Sequence, residues 1–397
     1  MKRTLFFKMS GRLIFGIGAL KELPEAARRL GAKRPLIVTD PGIVKAGICE
    51  RVRAMLCGAG IEPAVYDRVE PDPRIEVVGD CLAAGRAAGA DLFIGVGGGS
   101  AIDIAKMAAI LMANPGDVGQ YIGIDKIPQA GAPTIMIPTT AGTGSEVTPI
   151  VVLSDKKEHL KKGVVSDHLY PSVALVDPEL TAGLPPQVTA FTGMDALTHA
   201  IEAYTNKFAQ PFVDMFALEA IERAGRSLRR AVACGDDLDA RSDMSMASTL
   251  GGMCLGSVNT AAVHALAYPL GGTFDVPHGV ANALLLPYVM EYNLISDLGK
   301  YADIADALGE ETDGLSLREA AERLDDKDYQ SAVAALHAAG EISQPAADRY
   351  QLTKAGREAR QAVEDATDHY YERLLQSLDP IEGQELVALL EKICGPR

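Results

Sequence analysis

Up to about residue 180 the chain alternates short apolar runs with alanine-rich stretches in which apolar positions recur at helical spacing. Short apolar runs bounded by turn residues indicate buried strands, and the wider spacing indicates helices. Val77–Ala88 is predicted to be a helix. The predicted strands are Pro35–Asp40, Ala64–Tyr66, Asp91–Val96, Pro133–Pro138 and Val173–Asp177. This alternation predicts an α/β domain with a parallel sheet, covering residues 1–181.

The pattern changes after Pro185 and Pro186, and changes again near residue 324. From Thr189 to about Arg323 helical periodicity dominates, which predicts an all-helical domain over residues 182–323. The tail, residues 324–397, is predicted to contain a short helix, a hairpin ending at Leu352 and a long helix beginning near Thr353.

Charge and composition exclude several classes of function. The chain has 38 basic and 53 acidic residues, a formal charge of −15, which disfavours binding to nucleic acid or to an anionic membrane surface. A hydrophobic fraction of 48% with 23% charged residues is typical of a folded chain. No apolar run has the length of a membrane span, no signal peptide is evident, and the six cysteines form no CxxC pair. We therefore expect a cytoplasmic protein.

A glycine-rich turn, Gly97–Ser100, follows one predicted strand and opens a helix. Glycines let backbone amides approach an anion, and a helix N-terminus favours a phosphate group. A turn of this kind also occurs simply as a tight connection, and the strict GxGxxG pattern is absent.

The loop after the strand Pro133–Pro138 is also unusual in composition. Between Thr139 and Ser145 every residue except Ala141 is a glycine or carries a hydroxyl, which suits phosphate and ribose contacts. Asp40, at the end of an earlier strand, could accept hydrogen bonds from a ribose, and its charge would favour NAD over NADP. It could equally be a helix cap before Pro41.

Three histidines and one aspartate form a candidate metal-binding set. Asp195 and His199 are four residues apart on a predicted helix, which places them on one face. His264 and His278 follow in apolar segments. One carboxylate with imidazoles suits Fe(II), Zn(II) or another divalent ion, although a single histidine is more often structural.

Taken together, Gly97–Lys106, Pro138–Thr148, Gly193–Glu202, His264–Gly272 and Val276–Pro287 resemble motifs of the iron-containing (group III) alcohol dehydrogenases. The likeness runs from about residue 5 to about residue 323. It implies an N-terminal nucleotide-binding domain, a helical metal-binding domain, and hydride transfer between an alcohol and nicotinamide.

The resemblance also implies roles for individual residues. The implied metal ligands are Asp195, His199, His264 and His278. The implied NAD-binding residues are Gly97, Gly98, Gly99, Ser100, Asp103, Thr139, Thr140, Thr143 and Lys162, in addition to Asp40.

Two features depart from the family pattern. Tyr268 stands where many members have a further histidine; its hydroxyl could bond to substrate or relay a proton, or the ring could simply pack. The tail lacks the family's usual ending and is similar to the back half of MarR-like winged-helix regulators, including Leu352-Thr353 followed by Gly356-Arg357.

Two functions follow as hypotheses. The first is an NAD-dependent, metal-containing alcohol dehydrogenase that acts on small primary alcohols or aldehydes and forms homo-oligomers. The second is a catalytically impaired sensor or regulator that uses the tail, although acidic residues outnumber basic ones there, which makes nucleic-acid binding unlikely. The substrate and the choice between iron and zinc stay open.

Overall fold

The computed structural model describes residues 4–156, 160–274, 276–324, 342–346 and 349–352. Its strands are β1 Leu13–Phe15, β2 Pro35–Val38, β3 Ala64–Tyr66, β4 Leu92–Gly97, β5 Gly123–Ile124, β6 Thr134–Pro138, β7 Ile150–Asp155, β8 Leu160–Val165, β9 Val173–Val176, β10 Ile342–Ala346 and β11 Arg349–Leu352. Its α-helices are α1 Leu23–Arg29, α2 Pro41–Lys45, α3 Ile48–Gly58, α4 Ile75–Ala88, α5 Gly99–Leu111, α6 Pro186–Tyr204, α7 Pro211–Ala233, α8 Leu238–Val258, α9 Ala262–Phe274, α10 His278–Leu294, α11 Leu298–Ala307 and α12 Leu317–Glu322.

The main sheet has six strands in the order β1-β9-β6-β4-β2-β3, and every pairing in it is parallel. The parallel α/β domain predicted from the sequence is therefore confirmed. All five predicted strands are present. Strand β1, which was not predicted, pairs with β9 through Leu13 opposite Ala174.

Both faces of this sheet are covered, as expected for parallel strands whose residues are apolar on both sides. Alternate residues of one strand enter different cores because side chains on a strand point to opposite faces. Leu36 and Phe93 belong to one core, whereas Ile37 and Ile94 belong to the other. The first core includes helices α4 and α5, and the second includes α1 and α3.

A second, three-stranded sheet was missed in the sequence. Its order is β5-β8-β7; β5 and β8 are parallel and β7 and β8 form an antiparallel hairpin. Helix α5 packs against both β4 of the main sheet and β7 of this one. Every residue of α5 from Ala101 to Leu111 is buried as a result.

Backbone contacts divide the chain into two units, Met1–Ala261 with Ala307–Gly309, and Ala262–Asp306 with Glu310–Arg397. In the first unit α6, α7 and α8 pack on one another, and in the second α9 packs on α10. The predicted change from strands to helices is confirmed between β9 and α6. The domain limits at residues 181 and 323 stay predictions.

The predicted hairpin in the tail is present, with β10 and β11 paired antiparallel. The two helices predicted on either side of it lie outside the described residues. Within the described residues no single helix has the length and hydropathy to cross a membrane, and the broken pair Leu238–Val258 with Ala262–Gly271 meets those criteria by length and composition only.

Candidate functional site

Three of the predicted nucleotide-binding segments leave the same edge of the main sheet. Strand β4 lies between β2 and β6 and is parallel to both. Asp40 follows the end of β2, the glycine-rich turn Gly97–Ser100 begins at the end of β4, and Thr139 follows β6 directly. Carboxyl ends of parallel strands meet at one edge, which is where open α/β sheets bind ligands.

The glycine-rich turn has no room for a side chain at Gly97 or at Gly99. A Cβ on Gly97, where φ is +153°, would lie 2.7 Å from the Cβ of Ala101. A Cβ on Gly99 would lie 2.8 Å from Thr143 Cγ2. Gly98 is the N-terminal cap of α5 and uses no side chain for this. The bare backbone and the start of a 13-residue helix are suited to a phosphate group.

The segment Thr139–Thr148, here called the threonine loop, lies directly against that turn. The Thr139 amide donates to the Gly97 carbonyl at 3.0 Å. A Cβ on Gly98 would lie 3.5 Å from Thr140 Oγ1, and Thr143 covers Gly99. The structure therefore brings together Gly97, Gly98, Gly99, Thr139, Thr140 and Thr143, six of the ten predicted cofactor-binding residues.

Asp40 serves as a helix cap. Its Oδ1 accepts hydrogen bonds from the amides of Gly42 at 2.8 Å and Ile43 at 3.1 Å, at the start of α2. Its other oxygen is near the turn, because a Cβ on Gly97 would lie 3.3 Å from Asp40 Oδ2. The cap is one of the two roles considered for Asp40, and the ribose contact stays a prediction.

Asp103 and Lys162 already have partners within the protein. The Asp103 carboxylate is buried; it accepts a hydrogen bond from the Ser145 hydroxyl and another, at 2.8 Å, from the Val152 amide. Lys162, on β8, forms a 2.8 Å ion pair with Asp155 across the β7–β8 hairpin. Direct contact of either residue with NAD stays a prediction.

Helix α6 carries the first two candidate metal ligands. Asp195 Oδ1 and His199 Nε2 are 3.9 Å apart, and both residues are buried. Helix α8 packs closely behind them, since a Cβ on Gly251 would lie 3.5 Å from His199 Cβ. The one-turn spacing that the sequence predicted is therefore realised on a helix held by its neighbours.

The other two candidate ligands lie on α9 and α10. The ring centres of His264 and His278 are 5.2 Å apart. The Asn282 amide nitrogen is 3.2 Å from His264 Nε2 and 3.3 Å from His278 Nε2. Asn282 was not singled out in the sequence. Its position four residues after His278 on α10 is the signal that could have found it.

Tyr268 belongs to the same histidine cluster. Its ring is nearly parallel to that of His278, at 7° with 5.7 Å between centres, and meets His264 at 66°. The Tyr268 ring therefore packs against the imidazole rings of both candidate ligands. A catalytic role for its hydroxyl stays a prediction.

Asp195, His199 and His264 are a group of buried residues that could hold a metal ion. A carboxylate and two imidazoles are the donors that divalent iron or zinc accepts, so the residues present fit such an ion.

Two buried acids were missed in the sequence. Glu202 accepts a 3.0 Å hydrogen bond from the Ala261 amide, immediately before α9. Glu146, in the threonine loop, accepts one from Thr249 of α8 at 3.3 Å. Burial raises the pKa of Glu146 to about 7. Each lies in a motif that was quoted, but a buried carboxylate cannot be distinguished from an exposed one by spacing alone.

Known families match along most of the chain. Residues 10–178 match the family model for iron-containing alcohol dehydrogenase, and residues 189–391 match that for the C-terminal domain of the Fe-containing alcohol dehydrogenase family. The chain belongs to the iron-containing alcohol dehydrogenase family.

Individual proteins that are similar to this chain belong to the same kind of enzyme, as their names show. Long-chain-alcohol dehydrogenase 1 of Geobacillus thermodenitrificans is 49% identical over 311 residues, 78% of each chain. The crystal structure of a 1,3-propanediol oxidoreductase has a TM-score of 0.80 at 43% identity, covering 84% of this chain and 87% of that one. The sulfoacetaldehyde reductase of Bifidobacterium kashiwanohense, solved in complex with NAD+, has a TM-score of 0.75 at 33% identity, covering 82% and 86%.

The family match corrects the interpretation of the tail. The resemblance to a winged-helix regulator is not supported, and the C-terminal family model extends to residue 391. Short motifs such as Leu-Thr-x-x-Gly-Arg cap helices in unrelated proteins, so they are weak evidence for one family.

Proposed function

We propose that this protein is an NAD-dependent alcohol dehydrogenase that interconverts small primary alcohols or diols and their aldehydes. The buried group of Asp195, His199 and His264, in a chain of this family, carries the proposal. We include His278 as the fourth ligand, since it lies in ring contact with His264.

The substrate class follows from the relatives. Long-chain-alcohol dehydrogenase 1 and 1,3-propanediol oxidoreductase are named for alcohols and diols, so these are the first substrates to test. NAD is favoured as the cofactor because Asp40 places a negative charge beside the glycine-rich turn, where it would repel a 2′-phosphate. A cytoplasmic location and a homo-oligomeric state remain expectations of the same proposal.

The chain's own residues divide the work between binding and orientation. Gly97, Gly98, Gly99 and Ser100 offer backbone amides to the pyrophosphate, and Thr139, Thr140 and Thr143 bind the phosphate and ribose path beside them. Asp195, His199, His264 and His278 would hold the divalent ion. When bound, the ion stabilises negative charge on the substrate oxygen, and NAD supplies the hydride acceptor. Tyr268 would donate a hydrogen bond to the substrate oxygen.

Elemental analysis of anaerobically purified protein, with NAD-linked oxidation of 1,3-propanediol and butanol, tests this proposal. We expect about one iron or zinc ion per chain. His264→Ala and Asp195→Ala are expected to lose the ion and at least about 1,000-fold in activity, since each removes a ligand. His168→Ala, which changes an exposed histidine, is the matched control and is expected to keep both.

A folded wild-type protein that binds no metal ion, or that oxidises no alcohol with the ion present, would contradict the proposal.

A further inference from the structure

Lys106 is the most deeply buried cation beside the proposed nucleotide site, with 1% of its surface exposed. It lies on α5, three residues after Asp103, which places the two charged groups on one face of the helix. An isolated buried ammonium group is costly, so the partners that offset this cost show what the residue holds in place.

Those partners lie at the end of the threonine loop. Lys106 Nζ donates to the main-chain carbonyls of Ser145 at 3.0 Å, Thr148 at 3.2 Å and Ile150 at 2.6 Å. It also lies 3.0 Å from the Ser145 hydroxyl. One side chain therefore gathers three carbonyls from six consecutive residues, 145–150.

Asp103 completes this arrangement from the same helix. It accepts from the Ser145 hydroxyl and from the Val152 amide at 2.8 Å, and lies 3.5 Å from Lys106 Nζ. Ser145 thus accepts from Lys106 and donates to Asp103. Apart from the ion pair between Asp103 and Lys106, every bond in this network runs from α5 to the threonine loop or to the first residues of β7.

Helix α5 begins at the glycine-rich turn, so the network joins the two elements that would bind nucleotide. Thr140 and Thr143 contact Gly98 and Gly99 at one end of the loop, and Lys106 fixes its other end. The loop next touches α8, where a Cβ on Gly144 would lie 2.6 Å from Gly252 Cα. Because the threonine loop is packed against the glycine-rich turn and against α8, a small shift of the loop would move Thr140 and Thr143 relative to Gly98 and Gly99.

We infer that Lys106 is a positioning residue for nucleotide binding: with Asp103 it holds the threonine loop against the glycine-rich turn. The inference rests on the proposed function, because the nucleotide is the ligand whose contacts the loop would set. Lys106 acts through the threonine loop, because its ammonium group is bonded to the carbonyls of Ser145, Thr148 and Ile150.

Lys106→Met tests this, because methionine fills a similar volume without the ammonium group. Arg241→Met is the matched control: Arg241 is 2% exposed and bonds to the Gly235 carbonyl at 2.9 Å and to Thr189 Oγ1 at 2.7 Å, neither of which belongs to the threonine loop. Both variants lose a buried cation and its hydrogen bonds to main-chain carbonyls, so general destabilisation is common to the two.

Two readouts separate positioning from stability. Fluorescence titration with NADH is expected to give a Kd at least about tenfold higher for Lys106→Met, since a small misplacement of binding groups is costly, and a Kd within about twofold of wild type for Arg241→Met. Hydrogen exchange followed by mass spectrometry is expected to show faster exchange in peptides covering residues 139–152 for Lys106→Met alone.

A Lys106→Met protein with unchanged NADH affinity, or with unchanged exchange over residues 139–152, would overturn the inference. If Lys106→Met fails to fold, Ser145→Ala removes only the hydroxyl that links both charges; it is expected to raise the NADH Kd about threefold to fivefold. An unchanged Kd for Ser145→Ala would then overturn the inference.

The wild-type protein distinguishes the two proposals. Wild type that does not bind NADH contradicts the proposed function and the nucleotide part of the inference, and the exchange comparison still decides whether Lys106 holds the loop. If the wild type binds NADH and both variants bind it with the same affinity as wild type, only the inference about Lys106 is contradicted.

Discussion

The nucleotide edge and the metal ligands are built in opposite ways. The edge consists of backbone amides, glycines and small hydroxyl side chains in loops that follow β2, β4 and β6. The candidate ligands are carboxylate and imidazole side chains on α6, α9 and α10. We therefore expect NADH binding to be lost when a larger side chain is introduced at the nucleotide edge. We expect metal binding to be lost when a ligand side chain is removed.

The largest effect on the nucleotide edge is expected from Gly99→Val. The new Cβ would lie 2.8 Å from Thr143 Cγ2, so the threonine loop must move away from the turn. We expect the Kd for NADH to rise roughly tenfold to a hundredfold, with metal content unchanged. Fluorescence titration and elemental analysis measure the two quantities.

Gly79→Ala is the control for this substitution, since nothing lies within 4 Å of a Cβ there and the site is exposed on α4. Loss of the metal ion from Gly99→Val would break the comparison, because it would show that the two regions are not independent.

A smaller effect is expected at Glu146, a residue of the threonine loop whose buried carboxyl group accepts a hydrogen bond from Thr249 of α8. Its pKa is raised from 4.5 to about 7, because burial disfavours the charged form. The native state therefore binds the proton more tightly than the unfolded chain, and stability is lost as pH rises from about 4.5 to about 7.

Denaturation at pH 5.5 and pH 7.5 measures this loss. Glu146→Gln keeps the shape and cannot titrate, so the wild type is expected to lose about 1 to 2 kcal/mol more than the variant over this interval. Equal losses in the two proteins would show that Glu146 is ionised in the folded state at both pH values.

The smallest effect is expected from Tyr268→Phe, which keeps the ring stacked on His278 and removes only the hydroxyl. Loss of one hydrogen bond to substrate, about 1 kcal/mol, is expected to lower kcat about fivefold while metal content stays constant. An unchanged kcat would leave ring packing as the only role of Tyr268, and the metal region would then depend on its ligands alone.

The sequence predicted best what depends on local pattern. The strands Ala64–Tyr66 and Thr134–Pro138 are continuous apolar runs, and the pairing of Asp195 with His199 follows from helical spacing. The parallel pairing of the strands follows from their alternation with helices, whereas the order of the strands in the sheet was not predicted.

What the sequence did not predict depends on distant partners. Strand β1 has only three residues and is defined by β9, far away in the chain. Lys106 was quoted only as the end of a motif and was given no role, because the carbonyls of residues 145–150 that surround it cannot be identified from local spacing. The hairpin β7–β8 is different: Ile150–Leu153 is a plain apolar run, so its signal was present and overlooked.

The pairing of β1 with β9 also sets an order of events during synthesis. Leu13–Phe15 is synthesised before its partner Ala174–Val176, which lies about 160 residues later in the chain. At ordinary elongation rates that interval lasts roughly ten to thirty seconds. During this interval β9 has not been synthesised, so β1 has no partner strand. The strand that is made first can therefore join the sheet only after β9 has been made.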